Sequence, residues 1–534
     1  MPESHEPKLE KGPREFSWLT TRNHLPTLRY QGKLLHSLYD PVAEAEKMVM
    51  PLVEARPELI VLFGLGLGYH LNALRAKLKN AEILVYEPYE EIYQAALRSS
   101  GPDWQKDPRI QVFTHLEDLE DALIHRWIYY PQKRVPYFWI FPPYQRMAPA
   151  EIVRSERLFQ NLNLREESNR KTLREKTHLW LQNIAVNWPW LLALPNLSRF
   201  HRAFENIPGV IVAAGPSLSR NGSELERMSG RALLFAAGST YGCFRKRGIV
   251  PDWVAVLEGE DVSEQLAFEE SGAYFLLASA THPRHFNRTG EKRVTFHSMR
   301  WLAQLLDHEI FVPDGGHVAS AAFTMSLIMG CNPIILVGQD LSYGEDALHA
   351  SGVEDPQEEE VLRKYRRYPM DGQQEGVSGH SAMVSYRSWY EESARYLAKV
   401  RPDVLLINAT EGGVRIRGFE EMPLAEACGR FCRDPFKIDE VLRDRTGGPG
   451  VDRVSLKDRL LKMKQGLGLI DGQGSSPTLP TANPALDLYE WLSRGADGED
   501  LSHEKGARPE QVSGVIHQAQ QWVDRLIEKT EELE

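Results

Sequence analysis

PGVIVAAGPSLSRN, running from Pro208 to Asn221, holds an apolar run (Val210, Ile211, Val212, Ala213, Ala214) that breaks at Gly215-Pro216-Ser217 and opens into a polar, helix-starting segment. This is the pattern of a buried parallel strand delivering a tight loop to the carboxyl edge of a sheet. Ligands bind at such edges because backbone N–H groups and the helix dipole there favour an anion such as a nucleotide phosphate. Gly215 lets the backbone approach a ligand closely, Pro216 stiffens the turn, and Ser217 supplies a hydroxyl and a helix cap. Taken alone, the segment reads equally well as an ordinary strand-to-helix turn capped by serine.

The recurrence of such edges decides the fold. RALLFAAGSTYGCFRKRGIVPDWVAVLEGED (Arg231 to Asp261) gives one strand ending at Gly238-Ser239-Thr240 and a second ending at Glu258-Gly259-Glu260-Asp261. GGHVASAAFTMSLIMGCNPIILVGQDLSYG reads as a glycine-rich turn at Gly315 and Gly316, an apolar helix, and a strand ending at Gly338-Gln339-Asp340. VLLINATEGGVRIRGFE adds a last strand ending at Asn408-Ala409-Thr410. Strands that each end in small residues plus a carboxylate or hydroxyl describe a doubly wound α/β domain with one composite cleft.

At 534 residues the chain is too long for a single core. A net charge of −11 argues against a general nucleic-acid binder, whose footprint would be basic. The basic run Arg363 to Arg367 reads as a solvated face. The polar start MPESHEPKLEKGPREF has no signal-peptide pattern, and no apolar run is long enough to insert in a membrane, so a cytoplasmic protein is expected. The four cysteines, Cys243, Cys331, Cys428 and Cys432, form no CxxC pair and are expected to be reduced thiols.

A second α/β signal lies nearer the start. PELIVLFGLGLGYHLNAL (Pro57 to Leu74) is a strand, the glycines Gly64, Gly66 and Gly68, and a helix; AEILVYEP then ends a strand at Glu87-Pro88. A GxGxG turn with an acid closing the next strand is the grammar of nucleotide or S-adenosylmethionine sites, although such glycines also serve packing, which is the expectation here. Tyr129 to Tyr144 reads as a late strand with its exit loop. The expected organisation is α/β: two Rossmann-like doubly wound domains with a helical C-terminal region. Residues 1–150 form the first domain, 151–204 a helical bridge, 205–425 the core domain and 426–534 the helical region, which ends in an amphipathic helix from about Pro509 to Leu533.

For chemistry, Glu258, Glu260 and Asp261 could present carboxylates to a Mg²⁺ ion beside a diphosphate, or be a solvated acidic loop. Asn408 and Thr410 fit a base or sugar edge, or an Asx or Ser/Thr turn. His349 and His380 are the histidines placed for proton transfer; His380 stands in GVSGHSAMVS, ahead of a helix expected from near Ser385 and rich in aromatics. No hydrolase elbow, P-loop or HExxH motif occurs.

GPSL at Gly215, GIVPDWVAVLE at Gly248, GGHVASAAF at Gly315, GCNPIILVGQDLSY at Gly330 and INATEGGVRIRG at Ile407 resemble the domain of unknown function 115. Motility-associated factor (Maf) flagellin glycosyltransferases and archaeal 6-hydroxymethylpterin pyrophosphokinases share that domain. LRYQGKLLHSLYDPVAEAE (Leu28 to Glu46) and GLGLGYH resemble the Maf N-terminal region. The core is also distantly similar to bacterial lipooligosaccharide sialyltransferases, which implies Ser217 at the nucleotide phosphate, Tyr343 on the phosphate leaving group and His380 as base on the acceptor hydroxyl. The chain departs from that pattern at Ala214 and at Gly238 or Ser239, where asparagines are expected, and the donor nucleotide is left open.

The resemblance implies transfer of a nonulosonic, sialic-acid-like sugar from a nucleotide-activated donor to Ser or Thr of flagellin. A pterin pyrophosphokinase and a non-catalytic flagellin-binding assembly factor are the alternatives. The candidate catalytic residues are His380, Asp340 and Tyr343. Candidate substrate contacts are Gly215, Pro216, Ser217, Gly238, Ser239, Glu258, Gly316, Gln339, Asn408 and Thr410. No metal ligand is assigned, and Mg²⁺ is the one cofactor considered.

Overall fold

The computed structural model describes residues 16–99, 103–124, 126, 136–263, 272–287, 292–308, 310–343, 349–350, 368–369, 377–442, 445, 451–470, 483–495 and 509–533. The basic run Arg363 to Arg367 lies outside these residues, as does the first part of Tyr129 to Tyr144; so does most of the sequence expected as Gly-, Pro- and Ser-rich breaks at Thr446 to Gly450, Asp471 to Pro484 and Arg494 to Pro509. The chain divides into two compact units, Met1–Glu166 and Glu167–Glu534. The division falls inside one 45-residue helix, Pro149–Ala193, which occupies most of the stretch expected as a helical bridge.

Unit 1 opens with an antiparallel sheet of β1 (Phe16–Thr20), β2 (Pro26–Tyr30) and β3 (Lys33–Leu34). Its main sheet is β4 (Leu59–Phe63), β5 (Glu82–Tyr86), β6 (Ile110–Phe113) and β7 (Tyr137–Ile140), parallel throughout in the order β6-β5-β4-β7. Leu59, Val61 and Phe63 enter one core while Ile60 and Leu62 enter another. Alternate side chains point to opposite faces of a strand, so a strand covered on both sides reads as the continuous apolar run seen in the sequence.

Unit 2 is built on β8 (Gly209–Val212), β9 (Leu233–Ala237), β10 (Trp253–Val256), β11 (Tyr274–Ala278), β12 (Lys292–Phe296) and β13 (Ile334–Val337). A short antiparallel pair, β14 (Tyr368–Pro369) and β15 (Ser378–Gly379), precedes β16 (Leu406–Asn408) and β17 (Glu420–Glu421). The eight-stranded sheet runs β12-β11-β10-β9-β8-β13-β16-β17 with every pairing parallel. The chain winds outward from β8 to β12, then crosses back to lay β13 on the other side of β8. Strand order therefore reverses between β8 and β13, and in open parallel sheets the crevice outside that switch point is where ligands bind. The fold is α/β and Rossmann-like in both units.

The C-terminal helices Arg453–Leu467, Pro484–Gly495 and Pro509–Glu531 share one core with the sheet's helical layer. Trp522 donates from Nε1 to the Leu181 carbonyl at 3.1 Å, and Trp188 from Nε1 to Thr530 Oγ1 at 3.0 Å. All four cysteines are buried free thiols. Among the described residues no helix is long and apolar enough to cross a membrane.

Candidate functional site

The loop after β8 and the loop after β13 lock together at the switch point. Gly215 N donates to Gly338 O at 2.8 Å, and Asp340 Oδ2 accepts from Ser217 Oγ at 2.6 Å and Ser217 N at 3.3 Å. A Cβ on Gly215 would lie 2.1 Å from Asp340 Oδ2, so only glycine permits this approach. Val414 N closes the third side on Asp340 O at 2.9 Å, and a Cβ on Gly413, at φ +69, would lie 2.1 Å from that same oxygen. Ser217 and Asp340 are buried, and burial raises the Asp340 carboxyl against the opposing pull of Ser217 and Arg220. Ser217 makes no side-chain cap, contrary to the expected helix-capping hydroxyl. A carboxylate is the stronger acceptor, and the hydroxyl goes to Asp340. Ala214, Gly215 and Pro216 stay partly accessible on the rim.

Gln339 and Thr410 join this lock: Gln339 N donates to Thr410 Oγ1 at 3.1 Å, and Asn408 Oδ1 accepts from Thr410 N at 3.3 Å in an Asx turn. Asn408 Nδ2 is also taken, by Glu421 Oε1 at 3.1 Å. The Gln339 Oε1 atom is buried and has no hydrogen-bond partner among the described residues. Tyr343 and His380 are brought together with ring centroids 6.0 Å apart, and Tyr343 N donates to Ser378 O at 2.8 Å. The helix expected from Ser385 begins at Ser381, which puts His380 in the capping position itself. Burial lowers the His380 imidazole, so the ring is neutral near pH 7. Ala350, next to His349, donates from its N to Ala214 O at 2.7 Å. Gly238 and Ser239 form a 3-10 turn after β9, pinned by Thr240 Oγ1 to Val212 O at 3.2 Å.

The acidic run after β10 is largely spent on cations: Glu260 pairs with Lys176 and Asp261 with Arg284. Among the described residues no three His, Cys, Asp or Glu side chains converge as a metal site. Of the carboxylates considered for Mg²⁺, Glu260 and Asp261 are thus paired with cations and Asp340 is held by Ser217, while Glu258 is in neither ion pair.

The sequence reading missed Asp314, His317 and Tyr386. Ser320 N donates to His317 Nδ1 at 2.9 Å, capping the helix Val318–Ile328 and leaving the ring proton on Nε2, a buried atom with no partner among the described residues. Tyr386 lies edge-on to His317 at 4.2 Å, with Gly316 at φ +83 beside it. Burial pushes Asp314 up to about 6; burial, with Glu258 and Asp314 nearby, pushes Tyr386 up to about 12. Asn221 was also missed; its Nδ2 reaches Ala409 O at 3.1 Å and Thr410 O at 3.2 Å and ties the first loop to the last.

In unit 1 the glycine turn is filled by the protein itself. Gly64 N donates to Tyr86 O at 2.8 Å, Leu65 N to Glu87 Oε2 at 2.9 Å, and Gly66 N to the Tyr144 hydroxyl at 3.2 Å. Leu67 N donates to His36 Nε2 at 2.8 Å and Gly68 N to Leu65 O at 2.9 Å. The amides of residues 64 to 68 are therefore all engaged within the protein. Glu87 is fully buried, takes the Tyr144 hydroxyl as well, and is raised to about 7 by burial.

Part of each unit matches a known domain. Residues 20–106 match the glycosyltransferase Maf N-terminal domain, and residues 182–346 match the 6-hydroxymethylpterin diphosphokinase MptE-like domain. The chain thus carries, in order, the two domains that its motifs resemble. Among solved structures it is similar to the Maf glycosyltransferase from Magnetospirillum magneticum AMB-1, with a TM-score of 0.54 at 16% identity over 98% of this chain and 91% of that one. At that identity the likeness concerns the fold. A comparison with curated proteins finds no match.

Proposed function

We propose that the protein transfers a nonulosonic sugar from a nucleotide-activated donor to Ser or Thr hydroxyls of flagellin in the cytoplasm. The observation that supports this reading is His380, kept neutral by burial, with its ring 6.0 Å from that of Tyr343 in the segment that follows Asp340. The loop Ala214–Ser217 is the seat for the donor's phosphate, with Gly238 and Ser239 bordering it. His380 accepts the proton of the acceptor hydroxyl as its oxygen attacks the anomeric carbon. The bond from that carbon to the phosphate oxygen breaks, and the nucleotide leaves with the electron pair, its charge met by the Tyr343 hydroxyl. Asp340 acts through Ser217 by fixing the loop and is a positioning residue in this scheme. In this scheme Glu258, Gly316 and the Asp314–His317–Tyr386 group are assigned to the sugar or the acceptor.

The match to a diphosphokinase-like domain favours one alternative, diphosphate transfer from ATP to a pterin alcohol, which requires Mg²⁺. Both are tested by incubating the purified protein with CMP-, UDP- and ATP-type donors, with and without Mg²⁺, against flagellin and a pterin alcohol. Sugar incorporation into flagellin, read by intact mass, is the expected result. Mg²⁺-dependent diphosphorylation of the pterin with no sugar transfer would replace the proposal by the kinase reading.

A further inference from the structure

Unit 2 carries a second polar cavity of about 270 Å³ whose lining includes Ser198, Arg199, His308, Ser455 and Arg459. It lies beside β12, an edge strand: Thr295 N donates to Pro195 O at 2.8 Å, and His297 directly follows that strand. Four strand spacings separate β12 from β8, about 19 Å at the usual interstrand distance. The cavity is therefore distinct from the switch-point cleft.

Its floor is a histidine relay with assignable protons. Ser279 Oγ donates to Phe296 O at 2.9 Å and accepts from His297 Nδ1. His297 Nε2 is then the acceptor, taking Asn196 Nδ2 at 3.1 Å and His308 Nδ1 at 2.7 Å. That puts the His308 proton on Nδ1 and leaves the lone pair on Nε2 of a ring that lines the cavity. Burial, reinforced by Arg199 and Arg459 against the opposing pull of Asp307, holds His308 at about 4, so the ring is neutral.

Around this acceptor stand two guanidinium groups. Arg459 is oriented by Leu305 O at 2.7 Å and by Ser455 Oγ at 2.8 Å; these bonds use one N–H each and leave the rest of its fork for a ligand. Ser455, acting as acceptor there, keeps its own O–H to donate. Two carboxylates share the lining, and both are engaged: Asp452 accepts from Val454 N at 3.1 Å, and the exposed Asp307 lies 3.6 Å from Arg459. A ligand that suits the site presents anionic oxygens to the two arginines and one acidic proton to His308 Nε2. Carboxylates and sulfate carry no proton near neutrality, whereas a phosphate monoester, with a second pKa of about 6, does.

We propose that this cavity is a second small-molecule site of unit 2 and takes a phosphate monoester at Arg199, Arg459 and His308. The proton is shared between the phosphate and His308; no covalent bond changes. The site stands independently of the transferase reading. It is tested by titration calorimetry of the whole chain near pH 6 with inorganic phosphate, glucose 6-phosphate and sulfate. Saturable binding of both phosphates is expected, with sulfate weaker by about tenfold or more, the worth of one charge-assisted hydrogen bond. Arg199→Gln and Arg459→Gln should each lose a similar factor, while Glu87→Gln, in unit 1, leaves the isotherm unchanged. Should a variant misfold, the unaltered protein decides: in histidine-labelled NMR spectra, phosphate should move the His308 ring signal and raise its titration midpoint. Equal affinity for sulfate, retained binding in both folded arginine variants, or a His308 signal indifferent to phosphate would overturn the proposal.

Discussion

An imidazole works as a general base only while neutral, and burial keeps His380 so. His380→Ala should cut sugar transfer by roughly 10²- to 10⁴-fold, the usual contribution of a positioned base, and leave donor affinity unchanged. Transfer rates and nucleotide affinity measured side by side check this, and wild-type turnover would reject the role. Ser217→Ala is expected to act differently. It strips the buried Asp340 of its 2.6 Å donor, at a cost of about 1–3 kcal/mol in stability, and should weaken donor binding by loosening the loop. Denaturant midpoints and nucleotide titrations measure both effects. Ser217 and Asp340 were legible because each ends an apolar run, and strand ends converge at a switch point. His317 and Asp314 were not, because their environment depends on Tyr386, some seventy residues further along the chain, and no local pattern announces that packing.

The two glycine-punctuated strand ends show how far an element's sequence determines its use. Around β8 the glycines bring two loops together and leave the rim Ala214–Pro216 partly accessible. Around β4 the same grammar is closed: a Cβ on Gly64 would lie 2.6 Å from the Tyr144 ring, one on Gly66 2.6 Å from His36 and one on Gly68 2.6 Å from Trp104. The motif fixes the turn, while residues remote in sequence decide whether a ligand or a tyrosine fills it. Glu87→Gln should therefore leave nucleotide and S-adenosylmethionine titrations unchanged. Its signature is in stability. Glu87 sits at about 7 when folded, above the ordinary glutamate value, so its protonated form favours the fold. That contribution is full in acid and fades as pH rises through the folded value. The neutral His36 and His70 have the opposite dependence, costing stability as the unfolded chain takes up protons below about pH 6.5. The difference in stability between wild type and Glu87→Gln isolates the glutamate: it should fall from about pH 5 to pH 8 and then level off. A flat difference across that range would show that the hydrogen bonds to the carboxylate from Leu65 N, Tyr89 N and the Tyr144 hydroxyl outweigh its burial.

At the scale of the molecule, the periodicity of the final helix revealed its apolar face but not what that face meets. Its partner is the helix Pro149–Ala193, more than three hundred residues earlier, through Trp522 to Leu181 O and Thr530 to Trp188. Val523 and Leu526 are fully buried in the same core as Ile184 and Leu191. A composition break in the sequence marks loops, whereas membership of a core is set by contacts of long sequence separation, and the region after 425 was for that reason read apart from the sheet it covers. The arrangement makes a definite demand. Trp522→Ala removes a buried indole and its hydrogen bond, and should destabilise unit 2 by about 3–5 kcal/mol, the range for large aromatic-to-alanine changes in cores. Denaturant titration of the intact chain, followed by the near-UV signal of the remaining tryptophans, measures it. Because Asn183 and Asn187 on the long helix donate to the carbonyls of Gly259, Ala280, Ser279 and Thr281, the loss should also reach the sheet's carboxyl edge. Donor affinity should then fall together with stability. If Trp522→Ala instead lowered acceptor turnover at unchanged stability, the last helix would be a docking element for the acceptor rather than part of the core.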